Sequence, residues 1–256
     1  MWETLILLYE TIINIYLGMR KLFIAMAAIA MTAFIADAEE GYNRVGLSSI
    51  VMGLSPNDDY KSISPVPDDQ DGADLYGVGF DYIHGFPVAK KLFVEVGASV
   101  DISGCTSKTD KIRDKDYDWI MLEEKLRNVS LRVPVNLAYS IRISDNVTLV
   151  PFLGLNLRMN VVYKLRDKIT SSLPDYRTDT GWLNLLSSSE DNMGSSALTW
   201  NRFQVGWQAG FGFNISKFYV GVEGGTDFVP AYSYSQGDVK LRVNSVNMRL
   251  SVAYTL

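Results

Sequence analysis

Between residues 129 and 143 apolar and polar positions alternate with a period of two. Val129, Leu131, Val133, Val135, Leu137, Tyr139, Ile141 and Ile143 fall on one face. Ser130, Arg132, Pro134, Asn136, Ala138, Ser140 and Arg142 fall on the other. A helix would scatter these apolar residues around its axis; a strand gathers them on one side. The pattern repeats over 147–163. Val147, Leu149, Pro151, Leu153, Leu155, Leu157, Met159, Val161 and Tyr163 share a face there, with Val150, Phe152 and Val162 out of pattern. Ser144-Asp145-Asn146 supplies the turn between the two segments. Two further hairpins join 75–86 to 92–101 and 203–214 to 218–223. They turn near Pro87-Val88-Ala89-Lys90 and at Ile215-Ser216-Lys217. Single strands stand at 42–52 and 246–256. The spacing predicts an all-β fold, an eight-stranded antiparallel up-and-down barrel. Its even strand number leaves both ends on one side.

The connections alternate in length. Those near 87–91, 144–146 and 215–217 are short; those near 53–74, 102–124, 165–202 and 229–241 are long and polar. Short periplasmic turns opposite long outer loops are the habit of outer-membrane barrels, so both termini are expected in the periplasm. The polar face carries Asp81, Glu95, Arg132, Arg158, Glu223 and Arg249, with Arg142 and many glycines. Mixed charges and glycine suit a narrow lumen packed with ion pairs, a lumen polar network. The apolar face carries Tyr82, Tyr139, Tyr163, Trp207, Phe218 and Tyr254, several near strand ends, as in an aromatic girdle. Apolar runs of this length span a bilayer, and closure leaves no unpaired strand edge in lipid. A soluble barrel would bury its apolar face instead.

Composition adds exclusions. Hydrophobic residues make up 47% of the 256, too few for a bundle of membrane helices. A barrel escapes that test because only alternate residues meet lipid. A formal net charge of −5 offers no basic field for nucleic acid. One cysteine, Cys105, and one histidine, His84, exclude a disulfide framework and a Cys/His zinc cluster. No cofactor, metal or catalytic residue is expected.

Residues 19–38 read as a signal peptide. Arg20 and Lys21 form its positive start, Leu22 to Ile35 its apolar core, and Ala36-Asp37-Ala38 its cleavage site. Residues 1–18 are also apolar. They are read as an artefactual extension before a start at Met19, the alternative being an uncleaved membrane helix. The barrel domain is then 39–256.

Three loop features could carry chemistry. Asp58, Asp59, Asp68, Asp69, Asp71 and Asp74 crowd the first long loop, without the spacing of a calcium loop. The third long loop holds Tyr176, Trp182, Leu183, Leu185, Leu186 and Trp200, which suits either a self-packed cap or a partner contact. His84 is the candidate base for a lipid-modifying enzyme, but lies beside a short turn, away from the outer loops. Asn128, Asn146 and Asn214 head glycosylation-like tripeptides that read as chance.

The chain resembles the outer-membrane β-barrel ("porin family", PorT-like) proteins of Gram-negative bacteria. The signal ending Ala36-Asp37-Ala38, the strand Leu131 to Tyr139 and the terminal strand Met248 to Tyr254 carry the resemblance. Barrels of this kind commonly end in an aromatic residue read by the barrel-assembly machinery; here the last residue is Leu256 and Tyr254 the nearest aromatic. The resemblance implies contact with outer-membrane lipid and lipopolysaccharide, and engagement of that machinery during biogenesis. The expected function is structural or surface-interacting, with a surface ligand or protein met through the outer loops. A narrow porin-like channel, an accessory barrel of a secretion system and a lipid-modifying enzyme are the alternatives.

Overall fold

The computed structural model describes residues 40–56, 74–108, 119–173, 177–186, 199–236 and 239–256. Eight long strands form the wall: β1 Tyr42–Pro56, β2 Asp74–Ala89, β3 Leu92–Lys108, β4 Ile120–Tyr139, β5 Val147–Ser171, β6 Phe203–Ile215, β7 Phe218–Asp227 and β8 Val239–Thr255. Each pairs antiparallel with its neighbour in sequence. The ring closes where β1 meets β8, from Arg44↔Thr255 to Pro56↔Val243. Closure satisfies every edge, the condition for a sheet in hydrocarbon. Among the described residues no helix is long and apolar enough to cross a membrane.

The hairpins at one end are tight. Lys91, with φ 71°, ends the β2–β3 turn, and Ser216, with φ 54°, opens the β6–β7 turn. A two-residue turn that matches strand twist needs such a left-handed residue.

At the other end the strands outrun the alternation that predicts them. β3 continues to Lys108, β4 begins at Ile120, β5 runs to Ser171 and β8 begins at Val239. Parts of the expected loops at 102–124, 165–202 and 229–241 are therefore strand. Short strands at Thr178–Asp179 and Leu183–Asn184 add to the upper edge of β5. Tyr232–Gln236 pairs with β8 and with Thr199–Trp200.

Two expectations are corrected. The strand expected over 129–143 breaks at Ser140, whose N–H donates to Lys91 O at 2.7 Å. Ile141–Ser144 is a separate short strand. Arg142 consequently leaves the lumen face and stands in solvent 3.7 Å from Asp145. Second, the β4–β5 register shifts by one, from Ser130↔Asn160 to Val129↔Val162. Val161 is the extra residue of a β-bulge. A slip of one residue exchanges faces. Asn160 points inward below the bulge, and above it Tyr163 points inward and Lys164 outward.

The signal peptide, residues 1–18, Tyr176 and the acidic loop apart from Asp74 lie outside the described residues.

Candidate functional site: the layered interior and the outer rim

The interior is stacked in four layers, set by alternate residues of each strand. At the short-turn end lies an apolar floor of Phe93, Ala138, Val150 and Phe152, with Tyr42 against them. Val150 and Phe152, out of pattern in the sequence, are this floor. Tyr219 lies across Gly212 and Gly221, and Tyr42 across Gly85. A Cβ at any of the three glycines would collide with a ring, so glycine makes room for aromatic side chains in a narrow barrel.

Above the floor sits the charged layer. Arg44 pairs with Glu95, which also accepts a hydrogen bond from Tyr42, and its guanidinium lies 4.0 Å over the Tyr219 ring. Arg132 pairs with Glu223 and donates to Asn156 at 3.0 Å. Arg249 reaches Asp81 at 2.9 Å and Glu223 at 3.3 Å, and pairs with Asp101. Arg158 holds Asp227 at 3.2 Å. All four arginines are buried. A buried charge is tolerated when paired and hydrogen-bonded, and each of these is. Two small cavities flank Arg132, Glu223 and Arg249.

An amide belt follows. Asn128 donates to Asn160 at 3.0 Å, Asn160 to Gln204 at 3.0 Å, and Gln204 to Ser245 at 3.4 Å. Ser245 donates in turn to Asp227. Over the belt the interior becomes apolar again. Met52, Leu54, Leu75, Leu126, Tyr163, Ala231 and Val243 are buried there, with Leu165, Leu185, Leu186, Trp200 and Tyr232 packed against them. Trp200 stacks between Tyr163 and Tyr232, with ring centroids 4.6 and 4.5 Å away. Leu185, Leu186 and Trp200 of the third long loop therefore fold into the mouth as a cap. Trp182 does not; it lies on the outside, under Arg127. Cys105 sits half-buried beside the cap, and burial raises its thiol pKa.

The outer surface mirrors this order. Around the charged layer it is apolar: Leu47, Val78, Phe80, Val100, Leu131, Val133, Leu137, Leu153, Leu157, Phe211, Val220, Leu250 and Val252 are exposed. Around the apolar cap it is charged. Lys108 and Lys125 bracket Glu123, and Arg166 grips Asp179 through two bonds, one of 2.9 Å. That grip holds the Asp179 carboxyl well below the usual carboxylate range, and Lys125 lowers Glu123. Inside the rim Glu124 and Asp167 face each other across β4 and β5. Burial raises both carboxyls, and Asp167 raises Glu124 further.

The six residues named for the lumen network, Asp81, Glu95, Arg132, Arg158, Glu223 and Arg249, all lie in this interior. Arg132, Glu223, Arg249 and Asp81 are joined, whereas Glu95 and Arg158 bind Arg44 and Asp227. Arg44, Asp101 and Asp227 are further members not named for the network. The alternation over 92–101 already sets Asp101 on the polar face with Glu95 and Ser99. Arg44 sits two residues before Gly46 and Asp227 two after Gly225, so extending the period of two would have found both. Of the six girdle residues, Tyr82, Tyr139, Trp207, Phe218 and Tyr254 face outward, 40% to 59% exposed. Tyr163 is corrected: the bulge turns it inward, and it is 3% exposed. His84 faces outward at the short-turn end, with Nδ1 2.7 Å from Asn43 Oδ1 and its ring against Phe86.

A closed ring, apolar outside and ion-paired within, is an eight-stranded transmembrane β-barrel, the class found in the outer membranes of Gram-negative bacteria. No family model and no curated protein matches the chain. Among solved structures it is similar to Ail, the attachment invasion locus protein of Yersinia pestis. The identity is 12% and the TM-score 0.39, over 85% of this chain and 100% of that one. It is also similar to Neisserial surface protein A, at 10% identity and TM-score 0.35, over 84% and 99%. The outer membrane protein OprG from Pseudomonas aeruginosa follows at 9% and 0.38, over 86% and 97%. Likeness at this level carries no argument; the class rests on the ring and on the sorting of its two faces.

Proposed function

We propose that this chain is an integral outer-membrane barrel that serves as a scaffold for its long-loop end, with a structural or surface-interaction role there. The observation that supports this best is the filled interior. Among the described residues, floor, arginine network, amide belt and aromatic cap succeed one another along the interior, with only small cavities beside Arg132, Glu223 and Arg249, as expected where eight strands leave room for little but side chains. We read the lumen network as packing rather than conduit. The outward tyrosines Tyr82, Tyr139 and Tyr254, with Phe218, form a girdle at the short-turn end, facing the periplasm together with both termini. Residues 19–38 export the chain, 39–256 are the barrel domain, and the barrel-assembly machinery inserts it. His84 argues against a lipid-modifying enzyme, because its partners are Asn43 and Phe86 at the end opposite the long loops.

Planar-bilayer recording tests the reading. The purified chain should give no steady discrete openings; steady openings would replace the scaffold with a narrow channel. In cells, removal of the protein should weaken the envelope. Arrest of secretion with an intact envelope would favour an accessory role in a secretion system.

A further inference from the structure

The outward column of β4 changes character in one step. Leu137, Val135, Val133, Leu131 and Val129 are apolar; the next outward residues are Arg127, Lys125 and Glu123. On β5 the change follows Val162, with Lys164, Arg166 and Lys168 beyond. The register sets Arg127 against Lys164 and Lys125 against Arg166. Side chains paired this way stand about 5 Å apart, and like charges so placed repel. Two stacked like-charged pairs, directly above hydrocarbon-facing residues, invite an anion.

The acids nearby answer only part of this charge. Glu123 serves Lys108 and Lys125, and Asp179 is held by Arg166. Among the described residues Arg127 and Lys164 have no ion pair. Arg127 instead lies 4.4 Å from the centre of the Trp182 ring. The segment bearing Trp182 is pinned on both sides of it, by Asp179 on Lys168 and Arg166, and by Asn184 on Lys164. Tryptophan with arginine and lysine is the combination that settles at a headgroup boundary.

We propose that Arg127 and Lys164, beside Trp182, bind a phosphate on the headgroup of a lipid in the leaflet that the long loops face. Guanidinium takes the phosphate oxygens in a fork, ammonium adds a point charge, and the acyl chains lie on Val129, Val162 and Leu131 below. The apolar wall under the cations is what selects a lipid over free phosphate. This rests on the reading of the apolar belt as membrane-embedded.

The test is native mass spectrometry of the full chain in detergent. It is offered a diphosphorylated glucosamine lipid, the same lipid without phosphates, and inorganic phosphate. The wild type should retain the phosphorylated lipid. The Arg127→Gln/Lys164→Gln double variant should lose about tenfold or more in affinity, the expected effect of removing charge-assisted bonds. Arg142→Gln, a change to an exposed cation at the opposite end, should bind as the wild type does. Equal binding by the double variant, equal retention of the dephosphorylated lipid, or displacement by inorganic phosphate at matching concentration would each overturn the proposal. If the double variant fails to fold, Trp182→Ala takes its place and should weaken binding several-fold; unchanged binding overturns the proposal. Failure of the belt reading is separable, since the wild type would then not partition into phosphatidylcholine vesicles.

Discussion

The wall of this barrel has two regions with opposite polarity. In the belt, Leu131 and Val133 point out while Arg132 and Ser130 point in; in the rim, Arg127 and Lys125 point out while Leu126 points in. β5 makes the same exchange, from Leu157 outside and Arg158 inside to Lys164 outside and Tyr163 inside. So does β8, where Val246 is exposed and Ser245 buried, while one step up Asn244 is exposed and Val243 buried. Each region follows one rule in a different solvent. Where hydrocarbon surrounds the wall, apolar groups gain nothing by packing inside and polar groups must pair with each other. Where water surrounds it, the apolar side chains turn inward as in any soluble barrel. The point of exchange marks the membrane surface.

The largest effect is expected in the belt interior. Arg249→Met removes the shared partner of Asp81, Asp101 and Glu223, leaving buried carboxylates, at a cost of roughly 3–5 kcal/mol. Urea titration of the chain folded in lipid vesicles, followed by tryptophan fluorescence, would measure it; a loss under about 1 kcal/mol would mean that the network is wet and weak. Next comes an outward change, Val133→Arg, which should cost about 2–4 kcal/mol in lipid. The conservative outward change Lys125→Arg in the rim should be nearly silent. Equal effects at the two sites would erase the distinction between belt and rim.

A smaller and less intuitive effect concerns the bulge. Deleting Val161 joins Asn160 directly to Val162 and keeps Asn160 and Tyr163 inside with Lys164 outside. The deletion should fold and keep its urea midpoint nearly unchanged. A misfolded product would mean that the bulge itself is needed. The smallest effect is on pH. The raised Glu124 and Asp167 carboxyls disfavour their charged forms in the folded rim. Their cost is present at neutral pH and is relieved as pH falls through the raised values. The lowered Asp179 carboxyl acts in the opposite sense, but only below the ordinary carboxylate range. Rim protection against protease should therefore improve slightly as pH falls from 7 toward the ordinary carboxylate range; Glu124→Gln should reduce the gain, and Glu124→Gln/Asp167→Asn should abolish it. Loosening over that interval would contradict the assignment.

The belt was legible in the sequence because its alternation is long and uninterrupted from Val129 to Tyr139. The rim was not. There Glu123-Glu124-Lys125 and Arg166-Asp167-Lys168 place charges on both faces, which reads as loop although the backbone remains strand. Tyr163 was misplaced because a bulge leaves no local mark; Val161 and Val162 look like any neighbouring pair. Arg142 was misplaced because Ser140 breaks the strand through a backbone bond to Lys91, a residue distant in sequence. The partners of Arg158 and Glu95 lay on strands whose pairing only the closed ring reveals.

The polarity exchange can be tested residue by residue along β4. In a Cys105→Ser background, single cysteines at 137, 135, 133, 131, 129, 127 and 125 would carry a nitroxide, with the chain in lipid vesicles. Collisions with oxygen should dominate from 137 to 129, and collisions with a water-soluble nickel chelate should take over at 127 and 125. Access of the chelate to 131–137 equal to its access at 125 would contradict the account.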